Sequence, residues 1–467
     1  MTQNQYSLRT FYIIILTQVF SLIGSRMSGL AIGIKVFDDT GKATPLALVA
    51  LFYLLPNLIF VNIAGVIADR WDRKRLIMLS DAGQAAGTFL LFLSFASGHF
   101  QLWHLYTISV LQSIAGVFQG PAFMSSVTML VPDSHRDRAN ALTQMSHPAA
   151  GIVAPILTGL LFAVIGVTGV IAIDLMTFLV AIAVISAIHI PHPEKTAEGD
   201  QHKGAMWQEV QVGFKFLWSR RMLFYLMMHA MLLNFLFNMA GIYGTPYILT
   251  LTGSKAALGT LLAVESIAMV AGGLVFTAWG GTKARMHTMM PGVLLMSVSF
   301  MLYGIARTPL LLGLSIFFGL FVNPMVNACF MSLFQLKTPP DMQGRVFASI
   351  QMLAMGMTPL AYIIAGPLAD EVMEPAVGSS WWQIVEPILG NQPGAGMGAI
   401  FAFNGLICGI ITLILFTHRP YRTLEANLPD YKPEAVTVTE TTEAVVETVK
   451  EPGIEMPTKS TGPIPAI

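Results

Sequence analysis

Long apolar stretches separated by short polar breaks dominate this chain. A helix needs about 20 mostly apolar residues to cross the hydrocarbon of a bilayer. Twelve stretches approach or exceed that length, near residues 11–36, 45–68, 76–97, 103–126, 140–165, 168–190, 222–246, 256–279, 289–306, 309–333, 345–368 and 397–417. A transmembrane strand would need only about 9–11 residues and would alternate in polarity. These runs are longer, so the pattern predicts an all-α polytopic membrane protein with twelve transmembrane helices. The first stretch is too long for the core of a signal peptide and lacks an Ala-x-Ala exit, so it is expected to stay as the first span.

The segment 191–221 interrupts the pattern and leaves six spans on each side, predicting two six-helix bundles. The expected organisation is a bundle at 1–190, a loop at 191–221, a second bundle at 222–420 and a tail at 421–467. In the loop, Val210, Phe214 and Leu217 have helical spacing and suggest an amphipathic helix on the membrane surface. The tail is rich in Pro, Thr, Glu and Val and is expected to be disordered. The halves echo each other weakly. Pro132-Asp133 with Arg138 is repeated as Pro340-Asp341 with Arg345, each ahead of a helix with an internal proline, Pro155 or Pro359. Such repeats suit two bundles tilting about one midplane site. Trp381 and Trp382, in the longest loop of their side, are expected at headgroup level.

Composition supports the membrane reading. The chain is 54% hydrophobic and 11% charged, with mean hydropathy +0.65; soluble domains carry roughly 25% charged residues. A formal net charge of zero gives no footing for a nucleic-acid partner. All but five of the 26 cations fall on one side of the predicted spans. The exceptions are Lys35, Lys42, Lys255 and Arg307 on the other side and Arg26 inside the first span. The cation-rich side is expected to be cytoplasmic, with both termini there, in the inner or plasma membrane. Cys329 and Cys408 lie in separate apolar stretches, and His104, His147 and His229 are isolated. No metal site or cofactor is expected from them. The expected partners are the lipid bilayer, a small-molecule substrate and protons, and a monomer is expected.

Two ionisable residues stand inside spans, where a charge is costly and usually lines a cavity or finds a partner. Arg26 and Glu265 are each nine or ten residues from the same end of their spans, roughly 14–15 Å deep at 1.5 Å per residue. Equal depth permits a pair between the halves, and with Asp38 they are the candidates for proton coupling. A static structural pair is an equal alternative. Asp81, just inside the third span, is expected to hold Arg75 or a helix end, and Asp174 ranks low as a second coupling site. Gly29 with Gly33 and Gly116 with Gly120 read as helix-packing positions, since neither pair follows a strand.

The run from Gly65 to Arg75, with four cations and two carboxylates between membrane-length helices, is a hinge candidate. Gly65, Asp69, Arg70, Arg73 and Lys74 match the signature loop of the major facilitator superfamily, which this chain resembles over about residues 8–420. Asp72 stands where many members have glycine. A narrower resemblance, to the macrolide-efflux and siderophore (enterobactin) exporter branch, is carried by Pro121-Ala122, Leu130-Val131-Pro132, Arg138–Leu142, Arg345-Val346, Ala365–Asp370 and Pro393–Met397. The superfamily resemblance implies a conformational latch in which Asp69 caps a neighbouring helix. It also implies a path lined by spans one, four, seven and ten. Polar members of those spans are Gln112, Gln119, Asn234, Asn238, Asn323 and Asn327, with Phe235, Tyr243 and Phe321 as aromatic candidates. The usual proton-antiporter arginine is replaced by Gly116.

These readings lead to a secondary active transporter, a proton-driven exporter of drug-like or siderophore-like molecules working by alternating access. A facilitator or importer of the same fold is the alternative. A membrane enzyme would need a polar catalytic cluster, and neither His-Glu-x-x-His nor a paired-Asp arrangement occurs in the spans. A non-transporting receptor would leave the charged hairpin without a role.

Overall fold

The computed structural model describes residues 8–132, 135–188 and 214–427. Every regular element among them is helical: α1 Leu8–Thr40, α2 Thr44–Arg70, α3 Arg73–Ala96, α4 Leu102–Gly116, α5 Gln119–Leu130, α6 Arg136–Ala187, α7 Arg221–Thr252, α8 Lys255–Trp279, α9 Met286–Ile305, α10 Pro309–Phe321, α11 Asn323–Lys337, α12 Pro340–Pro367 and α13 Ala395–Thr417, with short turns of helix after α12 and α13.

Ten segments among the described residues are long and apolar enough to cross a membrane. Two breaks reconcile this with twelve passes. As one straight rod, the 52 residues of α6 would reach about 78 Å, more than twice the hydrocarbon thickness. The rod instead turns at Gly166, at φ 66° and ψ −175°, a conformation open to glycine alone. Its arms, 136–165 and 167–187, are the fifth and sixth passes. Conversely, α4 and α5 are each too short and together make the fourth pass, as α10 and α11 make the tenth.

Local chemistry sets the ends. Asp72 accepts from the Arg75 N–H and starts α3, Ser254 accepts from the Ala257 N–H and starts α8, and Thr308, ahead of Pro309, accepts from the Leu311 N–H and starts α10. Within the first half, α1 lies along α6, and α3 packs on α4 and α6. Within the second half, α9 lies along α13, α7 along α12 and α8 along α10. The halves meet where α6 crosses α8 and where α2 crosses α12. The passes end on two faces, here the hairpin face, bearing Trp71-Asp72, and the opposite face, bearing the Gly41–Ala43 turn.

Three expectations change. Trp382 is fully buried and donates its indole N–H to the Gly390 carbonyl at 2.9 Å, so it plugs the long loop instead of sitting among headgroups; Trp381 is exposed. The tail expected to be disordered from 421 begins as helix, Arg419–Arg422 and Leu424–Asn427, with Tyr421 and Leu424 buried. Its Glu425 pairs with Arg285 at 2.9 Å, and its carbonyl accepts from Lys337 Nζ at 2.7 Å. Finally, Arg75 pairs with Asp72 at 3.8 Å and leaves Asp81 to other partners. Of the expected 191–221 loop, 214–219 is helical, with Leu217 buried and Phe214 exposed, while 189–213, including Val210, and the tail beyond Asn427 lie outside the described residues.

Candidate functional site

Prolines follow the breaks in the fourth and tenth passes. Pro121 has no N–H for the carbonyl four residues back, and the fourth pass breaks between Gly116 and Gln119. Pro324 does the same in the tenth pass, between Phe321 and Asn323. Discontinuous helices free backbone polar groups at mid-depth, which membrane proteins tolerate where they line a cavity or are buried in protein.

Three cavities lie in the two halves, two of them lined by Asn323 at the tenth-pass break. One of about 450 Å³ in the first half is lined by Arg26, Gly29, Tyr53, Gln84, Gln112 and Asp174, among others. One of about 260 Å³ in the second half includes Glu265, Phe237, Phe300, Tyr303, Asn323 and Phe401. A third, about 220 Å³, includes Asn234, Asn323, Asn327, Met289 and Gln351 and lies closer to the hairpin face. Gln112, Asn234, Asn323 and Asn327 thus stand at cavity walls. Asn238 instead donates to the Asn234 carbonyl at 2.8 Å, and Gln119 joins a half-buried amide network with Gln18 and Gln84 around the buried Asp81. Tyr243 is wholly buried, its hydroxyl donating to the Ala365 carbonyl.

Arg26 and Glu265 come together at the α6–α8 crossing. They act on each other through space, but make no direct ion pair. Gly151 makes room for them: a Cβ there would stand 3.2 Å from Arg26 Nη1 and would collide with Ser266 Oγ. His147, one turn along α6 from Gly151, also feels the Arg26 charge. The sequence left His147 isolated, because nothing in its own span signals that Arg26 and Glu265 would fold beside it.

At the hairpin, the α2 backbone is helical from Gly65 through Arg70, while the side chains of Asp69 and Arg70 lie outside the described residues. Arg73 opens α3. Lys74 donates to the carbonyls of Ser186 and Ile188, both at 2.7 Å, and so caps the end of the sixth pass within its own half.

The opposite face holds contacts between the halves. Asp38 pairs with Lys255 at 2.7 Å, which places it at this interface and away from the cavities, and Lys255 lies 4.5 Å from the Phe162 ring centre. Asp370 accepts from the N–H groups of Ala43 (2.9 Å) and Thr44 (2.7 Å) and from the Thr44 hydroxyl. A Cβ on Gly366 would stand 2.6 Å from Thr44 Cα, and one on Gly259 would overlap the Pro155 carbonyl. Asp370 was missed as a functional residue, although the Gly366-Pro367-Leu368-Ala369-Asp370 run was the available signal.

Residues 14–362 match the family model described as Major Facilitator Superfamily. The chain belongs to the Major Facilitator Superfamily. Among curated relatives, it is 28% identical over 390 residues to macrolide efflux protein A of Streptococcus pyogenes, covering 79% of this chain and 91% of that protein. It is 24% identical over 369 residues to the multidrug efflux pump Tap of Mycobacterium tuberculosis, covering 77% and 87%. Among solved structures, the nucleoside transporter NupG superposes with a TM-score of 0.65 at 12% identity, covering 88% of this chain and 100% of that one. A bacterial homolog of the human lysosomal transporter Spinster, in an inward-facing and unoccupied conformation, gives 0.65 at 14%, covering 91% and 100%. These structures share the fold. The chain is therefore a multi-pass membrane transporter of a superfamily whose efflux proteins it resembles.

Proposed function

We propose that this transporter is a proton-driven exporter that works by alternating access. Its substrates are apolar or amphiphilic small molecules of the macrolide or multidrug kind, with siderophore-like molecules as a further class. One observation carries the reading. The polar contacts described between the halves, Asp370 with Ala43 and Thr44 and Asp38 with Lys255, lie on the opposite face. On the hairpin face, Lys74, Arg75 and Arg285 bind within their own halves. This arrangement suits a state closed on the opposite face, with the bundles free to part on the hairpin face.

In this reading the cation-rich hairpin face is cytoplasmic, the membrane is the inner or plasma membrane, and one chain is the transporting unit. Substrate enters from the hairpin face into cavities whose apolar walls carry a few amides and rings, a lining that suits varied amphiphiles. Asp69, Arg70 and Arg73 latch the hairpin face after the bundles swing, while Lys74 caps the sixth pass within its own half. Arg26 and Glu265 sit where both bundles meet, so a proton on Glu265 changes the charge balance at the crossing. Asp38 serves the opposite-face closure through Lys255.

The test is accumulation of a labelled macrolide in inverted membrane vesicles energised by a proton gradient. Accumulation that collapses with a protonophore supports the reading. Equilibration without accumulation points to a facilitator, and no movement of the macrolide at all overturns the substrate class.

A further inference from the structure

A network of amide side chains surrounds one carboxylate deep in the first half, apart from Arg26 and Glu265. Asp81, in α3, is fully buried. Its Oδ1 accepts from Gln119 Nε2 at 2.6 Å and its Oδ2 from Gln18 Nε2 at 3.4 Å. Gln119 Nε2 also reaches Gln18 Oε1 at 3.0 Å, and Gln119 Oε1 accepts from Gln84 Nε2 at 3.0 Å. Gln84 carries the network onward. Its backbone carbonyl accepts from Gln112 Nε2, which also donates to Thr88 Oγ1 at 3.1 Å. The Thr88 hydroxyl reaches a second buried carboxylate, Asp174, at 3.5 Å.

The described side chains that hydrogen-bond Asp81 are neutral amides. From α1 it meets Gln18 and from α5 Gln119; α4 contributes Gln112, and α6 contributes Asp174 at the far end of the chain of bonds. On α3 itself, Arg75 is paired with Asp72 and Lys74 with the carbonyls at the end of α6. Among the described residues Asp81 makes no ion pair. A carboxylate withdrawn from water with only amide donors is costly in its charged form. A metal cation would need oxygens around it, whereas these amides aim N–H groups at the carboxylate. One added proton removes the charge and turns one oxygen from acceptor to donor.

We infer that Asp81 is a proton-binding site and that Gln119, the first residue of α5, reads its occupancy. The proton adds to one carboxylate oxygen, and no other bond forms or breaks. The new O–H needs an acceptor, so the Gln119 amide turns its Oε1 toward Asp81. That oxygen now holds Gln84, so Gln84 is released. Gln84 packs on Gly116, the last residue of α4, where a Cβ would stand 3.3 Å from Gln84 Oε1. Binding a proton therefore re-pairs the amides on both sides of the break in the fourth pass, and two of them, Gln84 and Gln112, line the first-half cavity. This assignment rests on the proton-driven reading above and gives it a place.

The test uses full-length protein in lipid nanodiscs, acidified stepwise and followed by infrared difference spectroscopy of the carboxylic acid C=O stretch. The expected result is a band that grows on acidification, disappears in Asp81→Asn, persists in Asp174→Asn and shifts in frequency in Gln119→Leu. A band unchanged in Asp81→Asn overturns the assignment. If Asp81→Asn does not fold, an unshifted band in Gln119→Leu overturns it instead. In proteoliposomes, Asp81→Asn is expected to retain macrolide counterflow without a gradient and to lose gradient-driven accumulation. Wild-type transport indifferent to a pH gradient would remove the proton-driven reading, while the infrared band would still decide the site.

Discussion

Asp370, just past the end of α12, caps the first turn of α2 through Thr44: its Oδ2 accepts from the Thr44 N–H at 2.7 Å and from the Thr44 hydroxyl. The two residues belong to different halves. The start of a helix carries unsatisfied N–H groups and partial positive charge, so a carboxylate there is favourable twice over. Hydrogen bonds to a charged group contribute about 1.5–3 kcal/mol each. Opening the opposite face must break them. Asp370→Ala is therefore expected to shift the equilibrium toward the opposite-face-open state by about tenfold or more. Labelling of Lys42→Cys by an impermeant maleimide reads this, and equal labelling rates with and without Asp370 would dismiss the cap as a gate.

A second closure on the same face depends on the absence of a side chain. Gly259, one turn from Lys255, packs so closely on α6 that a Cβ would overlap the Pro155 carbonyl. The backbone oxygen cannot move aside as a flexible side chain would. Gly259→Val should wedge the halves apart at a cost of about 1–3 kcal/mol, the usual range for overpacking. Transport should fall although the protein still reaches the membrane. Crosslinking between cysteines replacing Asp38 and Lys255 should slow in this variant, and an undiminished crosslinking rate would count against the wedge.

Much of the fold was legible because span length is a one-dimensional property. The apolar runs marked twelve passes, although 140–165 and 168–190 are arms of one element hinged at Gly166. The breaks at Gln119 and Asn323 were not foreseen, because proline inside an apolar run gives no depth or partner. Arg26 and Glu265 could be matched by depth alone, and the structure does bring them within electrostatic reach. His147, Asp81 and Asp370 could not be placed. Their meaning comes from residues on other helices, and which face of a helix meets which neighbour is a tertiary fact. Trp382 was misplaced for the same reason: a tryptophan near a membrane edge looks interfacial until its loop is seen to fold over it.

The hairpin separates two kinds of charge. Lys74 binds two carbonyls at the end of its own half's sixth pass, a local cap worth about 0.3–1 kcal/mol. Lys74→Gln should therefore lower the unfolding midpoint slightly and leave transport largely intact. Asp69→Asn should leave the midpoint unchanged and lower the transport rate, since the latch role belongs to the other state of the cycle. Full transport by Asp69→Asn in vesicles would remove the latch.

At the α6–α8 crossing, Arg26 and Glu265 interact without a direct bond. Removing either charge leaves the other facing a low-dielectric interior alone, so single variants should be harsher than the pair. A double-mutant cycle over Arg26→Gln and Glu265→Gln should show a coupling of about 0.5–3 kcal/mol in stability, with gradient-driven transport lost in Glu265→Gln. Additive effects on stability, or proton-driven transport surviving in Glu265→Gln, would leave the two as independent polar residues.

The end of the described chain is a docked segment. Tyr421 and Leu424 are buried in an apolar cluster shared by α7, α9, α11 and α12, and the Tyr421 hydroxyl lies 3.4 Å from His229 Nδ1. Glu425 holds Arg285, which also donates to Ser332 Oγ at 2.8 Å. The segment thus staples the second-half hairpin to the end of the bundle. Removing a buried Leu-sized side chain costs about 2–5 kcal/mol. Truncation after Asn427 should therefore leave thermal stability near that of the full chain, whereas truncation after His418 should lower Tm by several degrees. Glu425→Gln alone should produce a smaller drop, because packing remains. Equal Tm values for the two truncations would show that the staple contributes nothing, and that this segment rests on the bundle without stabilising it.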